Sequence, residues 1–152
     1  MNAKSLKVRL NEEDVSKNNE NDEGYLEFTV EKIMMHQNYS RRTIDNDIAL
    51  LKLSKPVQLN EGGIIQPACL PANDIELDGQ IATVAGWGAT GQGASQSQVL
   101  RKVDVPIINN YDCNNKTTYT GKITDNMLCA GDLENGGKDS CQVIIKALQS
   151  VT

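Results

Sequence analysis

Four cysteines, Cys69, Cys113, Cys129 and Cys141, and one histidine, His36, are the side chains of this 152-residue chain best suited to metal, redox or nucleophilic chemistry. No two cysteines form a Cys-x-x-Cys pair, and one imidazole does not make up a zinc set, so neither a zinc cluster nor a thioredoxin-type redox site fits. Disulfides are the better use of these thiols, and four cysteines allow three pairings between which the sequence does not choose. Two glycan-acceptor patterns, Asn38-Tyr39-Ser40 and Asn115-Lys116-Thr117, suit an extracellular protein. The run from Gly86 through Trp87 and Gly88 to Gly93 is no phosphate cradle, because no nucleotide-type helix follows it; it reads as a hairpin carrying a packed tryptophan. Among the carboxylates, Asp47 stands at the entrance of the apolar run Ile48-Ala49-Leu50-Leu51, where its local reading is a cap on backbone N–H groups. Asp139, after Gly136-Gly137-Lys138, reads locally as a solvated loop residue, and so does the acidic cluster Glu12, Glu13, Asp14, Glu20, Asp22 and Glu23.

Short apolar segments separated by turn formers must position these groups, the rhythm of an antiparallel sandwich or barrel. Strands are expected over residues 6–10, 25–34, 48–53, 80–86, 98–108 and 127–130, with one helical turn over 109–114 capped by Asn109. Leu26, Phe28 and Val30 alternate with Glu27, Thr29 and Glu31, giving the second strand one apolar and one wet face. The third is apolar on both faces until Lys52 and is expected in the middle of the structure. In the fifth, Val99, Val103, Val105 and Ile107 point inward. The length suits one domain, and 15 Lys+Arg against 20 Asp+Glu, a net charge of −5, leaves no basic stripe for nucleic acid or an anionic membrane surface. No apolar stretch is long enough to span a bilayer, and the first ten residues lack the apolar core of a secretory signal.

Asn46-Asp47-Ile48-Ala49-Leu50-Leu51-Lys52-Leu53 resembles the aspartate-bearing strand of trypsin-like (chymotrypsin-family) serine proteases. Gln66-Pro67-Ala68-Cys69-Leu70-Pro71, Val84-Ala85-Gly86-Trp87-Gly88, Met127-Leu128-Cys129-Ala130-Gly131 and Lys138-Asp139-Ser140-Cys141-Gln142 resemble further stretches of that family, in the family's order. The resemblance implies an all-β, chymotrypsin-like double Greek-key β-barrel, here expected to be truncated at both ends. Residues 1–142 would be a partial peptidase domain, the second half of barrel one and the first half of barrel two, and 143–152 a divergent carboxyl tail. It implies that Asp47 is the catalytic triad aspartate, which orients the general-base histidine and stabilises its imidazolium. It makes Asp139 the substrate-binding acid at the floor of the specificity pocket, pairing with a substrate Lys or Arg. It also implies a Cys113–Cys129 disulfide, a tether from Cys69 to an activation segment, and a partner for Cys141 that lies beyond the carboxyl end. A Cys69–Cys141 pair is the alternative.

The departures from the family pattern bear on activity. His36 lies in Met35-His36-Gln37-Asn38-Tyr39, which resembles a surface stretch, whereas the family's catalytic histidine lies in Ala-Ala-His-Cys further upstream. The nucleophile's Gly-Asp-Ser-Gly-Gly-Pro should follow Gln142, but the chain continues Val143-Ile144-Ile145-Lys146, and Ser140 resembles the pocket residue beside Asp139 rather than the nucleophile. A complete two-barrel domain takes about 200 to 250 residues. The expectation is therefore a trypsin-like serine endopeptidase family member, cleaving after Lys or Arg when complete and inactive as this chain. The alternative is a non-catalytic homologue that acts as a binding or regulatory protein; an unrelated small disulfide-containing β domain would leave the five ordered matches to chance. No cofactor is expected, although the Glu12 to Glu23 loop falls where some relatives bind calcium. The expected partners of the complete enzyme are protein or peptide substrates and protease inhibitors, and its expected location is extracellular, although this chain carries no signal peptide.

Overall fold

Alternation of apolar and charged residues builds the first sheet around β2 (Leu26–Met35), its central strand. The computed structural model describes residues 2–17, 24–59, 63–70, 76–91 and 93–132. After a single 3-10 turn (Ala3–Ser5), β1 (Lys7–Leu10) pairs antiparallel with β2, setting Val8 opposite Phe28 and Arg9 opposite Glu27. Val8 and Val30 are buried, while on the wet face the Glu27 carboxylate accepts from Lys7 Nζ and from Arg9 Nε at 3.1 Å. Those two cations hold the Glu27 carboxyl below its usual range, Lys7 contributing most. The other edge of β2 takes β3 (Ala49–Leu53), after an irregularity between Val30 and Lys32. The expected central placement of β3 is thus corrected. Among the described residues it pairs with β2 alone, and Leu50 is 49% exposed, because apolar content on both faces signals what must be covered and not where a strand sits in the order.

A second antiparallel sheet has β5 (Arg101–Ile108) between β4 (Ile81–Gly86) and β6 (Cys129–Ala130). Its inward positions follow the period of two: Val105 and Ile107 are buried and Val103 is half-buried, with Arg101 and Asp104 outside. The strand expected over 98–108 begins only at Arg101, and Val99, expected to point inward, is exposed. Residues 98–100 leave the sheet to run antiparallel to residues 13–15, with Val15 N donating to Gln98 O at 2.9 Å and Leu100 N to Glu13 O at 2.8 Å. The loop after β1 is thereby stitched to the second sheet, and Trp87, half-buried, adds a bond from Nε1 to Glu13 O at 2.9 Å.

The helical turn extends to α1 (Asn110–Lys116), capped as expected by Asn109, whose Oδ1 accepts from Tyr111 N at 2.8 Å. A disulfide joins the fully buried Cys113 of α1 to Cys129 of β6, closing the second sheet onto the helix. Asn114 folds the intervening loop back by exchanging bonds with Ile123, Nδ2 to O at 2.8 Å and N to Oδ1 at 3.0 Å. Among the described residues the architecture is all-β apart from this helix and the 3-10 turn. No helix among the described residues is long and apolar enough to cross a membrane.

Candidate functional site

The turn that delivers Asp47 to β3 is built from residues 40–46. Ser40 N donates to Asp45 O at 3.0 Å, and Ser40 Oγ accepts from the Thr43 hydroxyl at 2.7 Å. Ile48 N then donates back to Asn46 O at 2.8 Å, a tight reversal that leaves Asp47 exposed at its tip. A carboxylate in this position is open to a partner from outside the turn, and among the described residues it caps no strand. His36 stands across the sheet, where its backbone N donates to Ile48 O at 3.0 Å. Its Nδ1 accepts from Asn38 N at 3.2 Å, so the imidazole is committed to its own turn, as befits an exposed surface residue. The structure brings His36 and Asp47 to adjacent strand ends, and no hydrogen bond joins their side chains among the described residues.

Asp45, two residues before Asp47, is the carboxylate that makes the contacts. Its Oδ1 accepts from Thr124 Oγ1 at 2.5 Å and from Asn126 Nδ2 at 3.2 Å, reaching across to the second sheet's loop. The Thr124 hydroxyl, then the Asn126 amide and the Asn46 backbone N–H, hold the Asp45 carboxyl below its usual range against the opposing effect of burial. Nothing in the sequence pattern singled out Asp45. A strongly accepting carboxylate next to a turn is invisible without the partners 79 and 81 residues away.

In the acidic loop, Glu20, Asp22 and Glu23 lie outside the described residues. Asp14 is buried and its carboxyl is held low, chiefly by the Ser16 hydroxyl at 2.6 Å and then by Lys17. Glu12 is not the solvated side chain expected: it is 4% exposed, with Oε2 on Arg9 Nη1 at 3.0 Å and Oε1 without a partner among the described residues. No group of three or more potential metal-ligating His, Cys, Asp or Glu side chains forms among the described residues. Of the two glycan-acceptor asparagines, Asn38 lies exposed in the turn after β2, whereas Asn115 lies in α1 with Nδ2 donating to Tyr111 O at 2.7 Å. Cys69 is an exposed free thiol. Asp139, Ser140, Cys141 and the tail 143–152 lie outside the described residues.

Comparison with known proteins decides the family, because the model described as Trypsin matches residues 1–142. The chain belongs to the trypsin family. It is 42% identical over 137 residues to a trypsin of Squalus acanthias, covering 90% of this chain and 56% of that protein. Against trypsin-1 of Salmo salar it is 44% identical over 137 residues, covering 90% and 53%. Serine protease 1 of Rattus norvegicus is 41% identical over 138 residues, covering 90% and 52%. The chain thus spans about half the length of the curated relatives it matches. Its two antiparallel sheets are those of the all-β, chymotrypsin-like fold of the trypsin family, and the disulfide between Cys113 and Cys129 lies within the matched region.

Proposed function

We propose that this chain is the central portion of an extracellular trypsin-like serine endopeptidase domain, residues 1–142, followed by a divergent tail at 143–152. In the complete domain Asp47 supplies the carboxylate that orients the general-base imidazole, and Asp139 pairs with a Lys or Arg side chain of the protein substrate. The observation that carries the reading is the family match, which runs through Asp47 and Asp139 to residue 142. An exposed Asp47 at a strand entrance fits a carboxylate that waits for an imidazole from another segment. Protease inhibitors would occupy the same pocket as substrates, and Cys69, exposed and free, is the thiol available to an activation segment.

The chain by itself is catalytically silent. Acyl transfer needs a serine hydroxyl with an imidazole in hydrogen-bond reach, and the one histidine is held by Asn38 N on an exposed turn. The purified 152-residue chain should show no hydrolysis of an arginine ester above the buffer rate. Turnover that a serine-directed inhibitor blocks would overturn this statement. For the complete domain, the surrounding transcript should encode Ala-Ala-His-Cys upstream and Gly-Asp-Ser-Gly-Gly-Pro downstream. Absence of both from an intact transcript would favour the non-catalytic homologue, which the engaged His36 also suits.

Within the same reading no cofactor is expected, and calcium at the acidic loop is the alternative to be tested. A buried carboxylate oxygen without a partner, as Glu12 Oε1 is among the described residues, is costly unless a cation or donor meets it. Glu12 would be the ligand from the described residues, and the ion would neutralise its second oxygen. Arg9 already neutralises the other oxygen, so the contribution is to loop stability rather than to chemistry. Calcium at 100 times its dissociation constant should stabilise the chain by about 2.7 kcal/mol in thermal unfolding. Glu12→Gln should abolish that increment, and equal calcium responses of the two proteins would remove Glu12 from the site.

A further inference from the structure

Two non-glycine residues on either side of Asp45 have left-handed backbone, Ile44 at φ 57° and Asn46 at φ 54°. Asparagine tolerates that region, but a β-branched isoleucine there is strained and persists only where its surroundings over-determine it. The over-determination converges on Asp45. Its carbonyl is bound by Ser40 N, and its carboxylate takes donors from three side chains: Thr124 Oγ1 at 2.5 Å, Asn126 Nδ2 at 3.2 and 3.4 Å, and Asn46 Nδ2 at 3.0 Å. An acceptor-only group with two oxygens can satisfy all of these at once. The far side of the contact is itself fixed, because Asn110 Nδ2 of α1 donates to Thr124 O at 3.1 Å and to Met127 O at 3.0 Å. That helix is closed onto β6 by the Cys113–Cys129 disulfide. A continuous chain of contacts therefore runs from the disulfide-closed unit of the second sheet to the residues immediately before Asp47.

We infer that Asp45 is a positioning residue, a clamp whose carboxylate holds the strained 44–46 turn against the Thr124 and Asn126 side chains and so sets where Asp47 enters β3. The catalytic meaning of this placement rests on the reading of Asp47 as the triad carboxylate; the placement itself does not. Thr124 and Asn126 offer uncharged donors, so the clamp works by geometry at the point where the two sheets meet, and the register of Asp47 depends on the second sheet being formed.

The test is solution NMR of the 152-residue chain beside Asp45→Ala, Asp45→Asn and Thr124→Val. Asp45→Ala should move the Asp47 carboxyl and backbone resonances and raise hydrogen exchange of the Ile48 amide about tenfold or more, the loss expected from one charge-assisted bond. Asp45→Asn, whose Oδ1 still accepts from Thr124, should restore most of both signals. Resonance changes confined to residues 124–127, with Asp47 and Ile48 unmoved, would overturn the inference. Should Asp45→Ala fail to fold, Thr124→Val removes a single hydroxyl and decides by the same signals. These readouts need no enzymatic activity, so failure of the triad reading shows in the transcript and ester tests and leaves this one intact.

Discussion

Replacing Cys113 and Cys129 together with alanine is expected to lower the unfolding free energy by about 3 kcal/mol, the loop-closure value for a bridge of this span. The disulfide spans a sequence separation of 16 and joins two elements that are each short. Helix α1 has 7 residues, too few to persist by its own propensity, and β6 has only two. The bonds of Asn110 and Asn114 to the loop at residues 123–127 are side-chain bonds that form only once α1 is docked. Cys113 is also wholly buried, so its loss removes packing as well as a covalent constraint. Urea unfolding checks the value, and the thermal midpoint should fall by roughly 6 to 12 °C. A change below about 0.5 kcal/mol, the scatter of ordinary surface substitutions, would mean that α1 and β6 are held by something else.

The parts of this fold that were legible in the sequence are those whose signal is local. Alternation in β2 and β5, the Asn109 cap and the apolar run of β3 each declare themselves within ten residues. Strand order did not, since β3 has the composition of a central strand and lies at the edge of the described sheet. The contacts that join the sheets were equally hidden. Gln98 and Leu100 are drawn off β5 by backbone groups at Val15 and Glu13, and backbone groups carry no residue code. Trp87 was expected to pack, yet its bond to Glu13 O spans 74 residues and could not be inferred from either end. The same limit applies at the site: Asp47 stands out because its octapeptide resembles a known strand, whereas Asp45 matters through two polar side chains whose types are common in any loop. Motif carries chemistry, and tertiary geometry carries the support for it.

Val105→Ala is expected to cost about 2–3 kcal/mol, and the argument turns on where β5 puts its side chains. Val105 is 1% exposed, opposite Ala82 of β4, with Ile107 next along the same face. Alanine at 82 leaves room that Val105 fills, so truncating Val105 sets two small residues opposite each other and opens a gap that β4 and β5 cannot close without breaking their ladder. Loss of apolar transfer, about 0.8 kcal/mol for each methylene removed, therefore adds to a cavity cost. Val103 lies two residues earlier on the same strand and is half-buried, so Val103→Ala removes the same atoms at smaller cost. Val105→Thr keeps the shape and places a hydroxyl in an apolar site, and should cost about 1–3 kcal/mol for desolvation alone. Urea unfolding of the three variants in parallel gives the ranking. Equal losses for Val103→Ala and Val105→Ala would show that the two positions are equally covered and that the core of the second sheet does not centre on Val105. The order expected here, with Val105 ahead of Val103, follows from burial, since Val105 is 1% exposed and Val103 half-buried, and further along the same strand Ile107 and Ile108 pair with β6, which carries the disulfide partner Cys129.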